Sequence, residues 1–129
     1  MDIKRARIVV IEDEKIMSTF VLGSLRRLGI LDLFAFESAT IALKEIVKIK
    51  PDLIITDVHM QPMNGIEFVR NLRASASSQL SSTPVIFLSA DSSSSTVGEA
   101  LPLGVAGYIV KPPKLEALGA KIEQALRKQ

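Results

Sequence analysis

Three carboxylates, a hydroxyl and an ammonium each stand at or near the end of an apolar run. Ala6 to Ile11 leads into Glu12-Asp13, Leu53 to Thr56 into Asp57, Val85 to Leu88 into Ser89, and Val105 to Val110 into Lys111-Pro112. If these runs are neighbouring parallel strands, all five groups converge on one edge of one sheet. Carboxylates that close resist ionising together unless a cation neutralises them. Oxygen donors, with no Cys and only one His in the chain, favour Mg²⁺ over zinc, and Mg²⁺ is usually held by one or two carboxylates, waters and a phosphate oxygen. The cluster reads as half of a phosphoryl-transfer site, the other half arriving on the donor.

The elements that must position these groups alternate between strand-like runs and amphipathic segments, five of each, which is the signature of βαβ units. Met17, Val21, Leu25 and Leu28 keep helical spacing up to Gly29, a suitable helix end. Leu31 to Phe36 follows as the second strand. Ser38 is placed to cap a helix with Ala39, Ala42, Leu43 and Ile46 on one face, ended near Lys50-Pro51 because the residue before proline avoids helical geometry. After the turn Pro62-Met63-Asn64-Gly65, the positions Gly65, Phe68, Val69 and Leu72 predict a third helix. Ala74 to Thr83 is Ser-rich without apolar period and is expected to be a solvated loop. The next helix is expected to be short or mobile, because Ser92 to Thr96, Gly98 and Pro102 oppose it and only Val97, Ala100 and Leu101 anchor it. Leu115, Leu118, Ile122, Ala125 and Leu126 predict a strong last helix.

Composition narrows the field. The 129 residues suffice for one domain with its own core, and a single domain over 1–129 without an effector is expected. A hydrophobic fraction of 47% and a mean hydropathy of +0.29, in short unbroken runs, point to strands covered on both faces. Zero Cys excludes a disulfide framework and thiol chemistry, and Met1-Asp2-Ile3-Lys4 does not open a secretory signal, so a cytoplasmic setting is expected. Net charge is +2; without Glu12, Asp13, Asp57 and Lys111, 15 basic and 11 acidic residues leave +4. These charges are scattered and have little aromatic company, so an acidic protein partner is expected rather than nucleic acid, and no membrane.

Taken together, the acidic pair after the first run, Asp57 within Asp57-Val58-His59-Met60-Gln61-Pro62-Met63-Asn64-Gly65, Ser89-Ala90 after the fourth and Tyr108-Ile109-Val110-Lys111-Pro112 at the fifth resemble the receiver domain of bacterial two-component response regulators. The resemblance covers nearly the whole chain and keeps the family order. It implies a flavodoxin-like (βα)5 fold, a doubly wound parallel sheet of order 2-1-3-4-5, with the pocket at the carboxyl ends of strands one, three, four and five.

The resemblance further implies that Asp57 accepts a phosphoryl group from the phosphohistidine of a sensor kinase or histidine phosphotransfer protein. Glu12 and Asp13 would hold Mg²⁺ with Asp57 and the main-chain carbonyl of His59, and Lys111 would pair with a phosphate oxygen, its bond to Pro112 being cis as is typical of the family. Ser89 and Tyr108 would act as the switch, reshaping the face made by the fourth helix, fifth strand and fifth helix, where a downstream target docks. Such a domain catalyses its own phosphorylation and dephosphorylation without turnover of an external substrate.

Plainer roles stand beside these. Asp57 could cap the following turn, an acidic pair before a helix is favoured by the macrodipole alone, and Tyr108 could simply pack. His59, the single histidine, is expected to lie partly exposed at the mouth of the site rather than to accept phosphate. The family usually has Pro directly after the Met at the third position past its phosphoacceptor; here Met60 is followed by Gln61, with Pro62 one later, so the turn carrying the His59 carbonyl is expected to differ slightly. That change keeps a second reading in view, a docking module regulated without phosphorylation. A haloacid-dehalogenase-type phosphohydrolase needs a second Asp two residues after its nucleophile, where this chain has His59.

Overall fold

The computed structural model describes residues 1–90, 98 and 101–127. The β-branched and aromatic runs form five parallel strands, β1 (Arg7–Ile11), β2 (Asp32–Phe36), β3 (Leu53–Asp57), β4 (Val85–Ser89) and β5 (Gly107–Val110). They lie in the order β2-β1-β3-β4-β5, as expected for a flavodoxin-like sheet. Between them run α1 (Lys15–Arg27), α2 (Ala39–Ile49), α3 (Gly65–Arg73), a one-turn α4 (Ser78–Ser81) and α5 (Leu115–Arg127). The expected weak helix anchored on Val97, Ala100 and Leu101 falls largely outside the described residues; Leu101–Leu103 forms a 3-10 turn.

Burial follows from position in the sheet. All residues of β3 and β4 are buried, and all of β1 except Arg7, whereas the edge strands β2 and β5 are mostly half-covered. Alternate side chains divide between two cores. Val9, Ile11, Ile54 and Phe87 pack beneath α2 and α3, while Ile8, Val10, Ile55 and Leu88 meet α1 and α5. Each Leu or Ile so covered stabilises the fold by roughly 1.5–3 kcal/mol relative to exposure.

The helix ends follow their local chemistry. Ser38 Oγ accepts from the amide of Ile41, capping α2, and Lys50 leaves the helix at φ 53° just before Pro51. Gly29, after α1, takes φ 88°. The segment expected to be a solvated loop is different. Ser77 accepts from the amide of Leu80 and starts α4, and Leu80 is buried in the core under α3. One apolar residue in a run of serines carries no period, so this anchor could not be read from spacing.

Candidate functional site

Strand register creates the site. Ile11 pairs with Thr56, Asp57 with Leu88, and Ser89 with Val110, so the residues that end or follow β1, β3, β4 and β5 share one edge. Ligand oxygens of Glu12, Asp13 and Asp57 all lie within 4.8 Å of one another. Glu12 and Asp57 are buried and Asp13 is exposed, which leaves the cluster closed beneath and open to solvent on one side.

Lys111 completes it. Its ammonium stands 2.5 Å from Glu12 Oε1 and 3.1 Å from Asp57 Oδ2, with the lysine side chain itself only 13% exposed. The Lys111 amide donates to the Ser89 carbonyl at 2.9 Å, which fixes the lysine to the end of β4. Burial lowers the tendency of this lysine to carry charge, but its bonds to Glu12 and Asp57 and their negative charge outweigh burial, so its pKa lies above the ordinary value. The Glu12 carboxyl is also pushed up, chiefly by burial; the Lys111 contact and the Glu14 amide pull against that without cancelling it.

Glu12 holds the observation that tests the site for a metal. Its Oε2 accepts from the amide of Glu14 at 3.0 Å, but Oε1 is fully buried and, despite the nearby ammonium, has no hydrogen-bond partner of good geometry. A buried carboxylate oxygen that faces a cation without a well-aligned hydrogen bond, in a cluster of three carboxylates, fits a hard divalent cation, and the all-oxygen set suits Mg²⁺.

The turn after Asp57 is built to hold that residue in place. Asp57 Oδ1 accepts from the His59 amide at 3.4 Å, and the Asp57 carbonyl accepts from Thr56 Oγ1 at 3.0 Å. Asn64 and Glu67 form a reciprocal capping box at the start of α3, with bonds of 2.8 and 3.0 Å. The Gly65 amide donates to the Val58 carbonyl at 2.8 Å, and a Cβ on Gly65 would overlap the Asp57 carbonyl oxygen. Gln61-Pro62 is cis, as is the expected Lys111-Pro112. Gln61 and Pro62 are both exposed, while Met60 is buried below them.

Ser89 lies fully buried at the end of β4. Tyr108 is not part of the carboxylate cluster. It lies three residues before Lys111, half-buried, and meets Phe87 edge-to-face with ring centroids 6.3 Å apart. The His59 side chain is exposed beside a hollow of about 220 Å³ that Asp13, Met60, Gln61 and Asn64 also line. Sequence reasoning did not single out Thr56, Gly65 and the Asn64–Glu67 box as positioning residues. The box has a readable signal, Asn three residues before Glu; the role of Gly65 depends on a close approach that spacing does not reveal.

Comparisons with known proteins agree with this geometry. Residues 8–123 match the family model described as the response regulator receiver domain. The chain is 37% identical over 121 residues to the KDP operon transcriptional regulatory protein KdpE of Escherichia coli, covering 94% of this chain and 51% of that protein. It is 31% identical over 121 residues to the chemotaxis protein CheY-3 of Vibrio cholerae, covering 94% of this chain and 92% of that one. It thus spans about half the length of KdpE and nearly all of CheY-3. The solved structure of the chemotaxis response regulator CheY4 of Vibrio cholerae superposes with a TM-score of 0.83 at 29% identity, covering 94% of this chain and 98% of that one. Among the described residues, no helix is long and apolar enough to cross a membrane.

Proposed function

The chain belongs to the response regulator receiver domain family, and from that membership we propose that it is a phosphoacceptor switch, taking a phosphoryl group from a phosphohistidine onto Asp57 in a Mg²⁺-dependent step. Receiver domains are signalling switches that interact with histidine kinases and downstream targets. The observation that carries the reading is the meeting of the Asp57, Glu12 and Asp13 carboxylates with the Lys111 ammonium at one open edge.

In the proposed step an Asp57 carboxylate oxygen attacks phosphorus as the P–N bond of the phosphohistidine breaks. The new O–P bond makes an acyl phosphate, and the departing imidazole nitrogen takes a proton. The His59 amide and the Thr56 contact hold the nucleophile; Lys111 would turn to a phosphoryl oxygen, and the Ser89 hydroxyl would donate to another. Glu12, Asp13, Asp57 and the His59 carbonyl would hold Mg²⁺, which when bound neutralises charge on the phosphoryl oxygens. Hydrolysis by water resets the domain, so it catalyses its own phosphorylation and dephosphorylation and turns over no external substrate.

Switching is assigned to Ser89 and Tyr108. Movement of the Ser89 hydroxyl towards the phosphate frees space, and Tyr108 shifts on its Phe87 contact to alter the docking face at β5 and α5. The partners are a sensor kinase or histidine phosphotransfer protein and a downstream target, all in the cytoplasm. Incubation with a small-molecule phosphodonor followed by intact mass tests the reading. One phosphoryl group should appear with Mg²⁺, not with EDTA, and not in Asp57→Asn; the absence of any adduct with both donor and kinase sinks it in favour of docking without phosphorylation.

A further inference from the structure

Basic side chains gather at the pole opposite Asp57. In a doubly wound sheet the helices run against the strands, so helix carboxyl ends lie beside strand amino ends. Arg26 and Arg27 occupy the last turn of α1 and Lys48 that of α2, where cations offset the helix dipole. That explanation does not reach Lys4 and Arg5, in a 3-10 turn before β1, or Lys50, beyond α2. Contacts draw these groups together: the Lys4 side chain lies over Gly29, just past α1, and Arg7 donates to the Ile49 carbonyl at 2.7 Å while its Nε reaches Asp32 at 3.1 Å. Six exposed cations, Lys4, Arg5, Arg26, Arg27, Lys48 and Lys50, therefore surround the amino ends of β1 and β2, with Leu31 among them, 76% exposed.

We propose that this pole is a docking surface for an acidic protein partner, distinct from the phosphoacceptor site. An apolar centre inside a charged rim is the anatomy of a protein interface, and the rim cations steer an acidic surface to it. A phosphodiester backbone gains nothing from covering Leu31. Asp2, Asp32 and Asp52 stand within the patch, Asp32 paired with the Arg7 guanidinium and Asp52 accepting from the Arg7 amide at 2.8 Å. Fixed carboxylates of this kind penalise a duplex or a membrane, whose negative charges sit at set spacing, more than a polypeptide whose acids can be placed between them. The surface also accounts for the +4 that remains once the site residues are set aside.

The test is an amide chemical-shift titration of the full chain with four probes: a random copolymer of Glu and Tyr, poly-glutamate, a duplex DNA and phosphatidylserine vesicles. The copolymer should shift Lys4, Arg27, Leu31 and Lys50 saturably, with affinity falling about tenfold from low to physiological salt as screening shortens the reach of charge. Lys4→Glu with Arg27→Glu and Lys50→Glu should abolish these shifts and leave phosphorylation of Asp57 unchanged. Leu31→Ser should weaken the copolymer but not poly-glutamate. Absent shifts, shifts centred on Lys114 and Lys121, equal binding by the Leu31 variant, or tighter binding of DNA or vesicles at this pole would each overturn the proposal.

Discussion

Gly65 lies against the main-chain carbonyl of Asp57 so closely that a Cβ at residue 65 would overlap that oxygen and stand 3.0 Å from Val58 Cα. The obstacle is backbone, which cannot rotate aside. Gly65→Ala is therefore expected to destabilise the fold by about 1–3 kcal/mol, the usual cost of overpacking, and to slow phosphorylation by displacing Asp57. Gly23 is the control: it is a mid-helix glycine with nothing within 4 Å of a built Cβ, so Gly23→Ala should stabilise by about 0.5–1 kcal/mol. Urea midpoints of the two variants, with phosphorylation rates beside them, separate the effects.

Lys111 neutralises the same carboxylates that a metal would use. Its removal in Lys111→Met leaves Glu12 and Asp57 buried without their cation. The variant should be less stable in EDTA, bind Mg²⁺ more tightly than the parent, and regain more stability on Mg²⁺ addition. Melting temperatures across a Mg²⁺ titration check this, and an unchanged Mg²⁺ affinity would show that the ammonium does not compete for these oxygens.

The raised Glu12 carboxyl gives a pH signature with a definite sign. Burial makes the folded state hold this proton more tightly than the unfolded chain does, so without metal stability falls as pH rises from about the ordinary value of 4.5 through the folded one. Lys111 acts at the other end of the scale. Its raised pKa contributes stability that is complete below the ordinary 10.5 and is lost as pH climbs through the folded value. Urea midpoints in EDTA from pH 4 to 7 should show a decline on the acid side that Glu12→Gln removes.

Arg73 clasps two loops far from the site. Its guanidinium donates to the carbonyls of Leu103 at 2.8 Å, Ser81 at 3.1 Å and Thr83 at 2.7 Å, fixing the chain before β4 and before β5. Arg73→Met strands these acceptors, and a cost of about 2–4 kcal/mol is expected. Arg73→Lys should recover only part, because a single ammonium does not reproduce the planar fork. Equilibrium unfolding of both variants decides it.

Much of this molecule is legible in the sequence because its signals are periodic or terminal. Buried strands read as apolar runs, amphipathic helices as repeats, and an acid at the end of each of two central strands as a pocket. What escaped depends on contacts between segments distant in sequence. Leu80 anchors a serine-rich stretch through one side chain, Arg73 is a surface-type residue whose partners lie up to 31 positions away, and Gly65 matters through the backbone opposite it. The cations opposite Asp57 looked scattered along the chain, and only the return of α1 and α2 to the strand amino ends brings them together.

The most direct test is to locate the phosphate. After reaction with a phosphodonor and Mg²⁺, borohydride reduction converts an aspartyl phosphate to homoserine, and peptide mass identifies the residue. Conversion confined to Asp57 is the predicted result; conversion at Asp13, a stable phosphate on His59, or no modified residue at all would contradict the account.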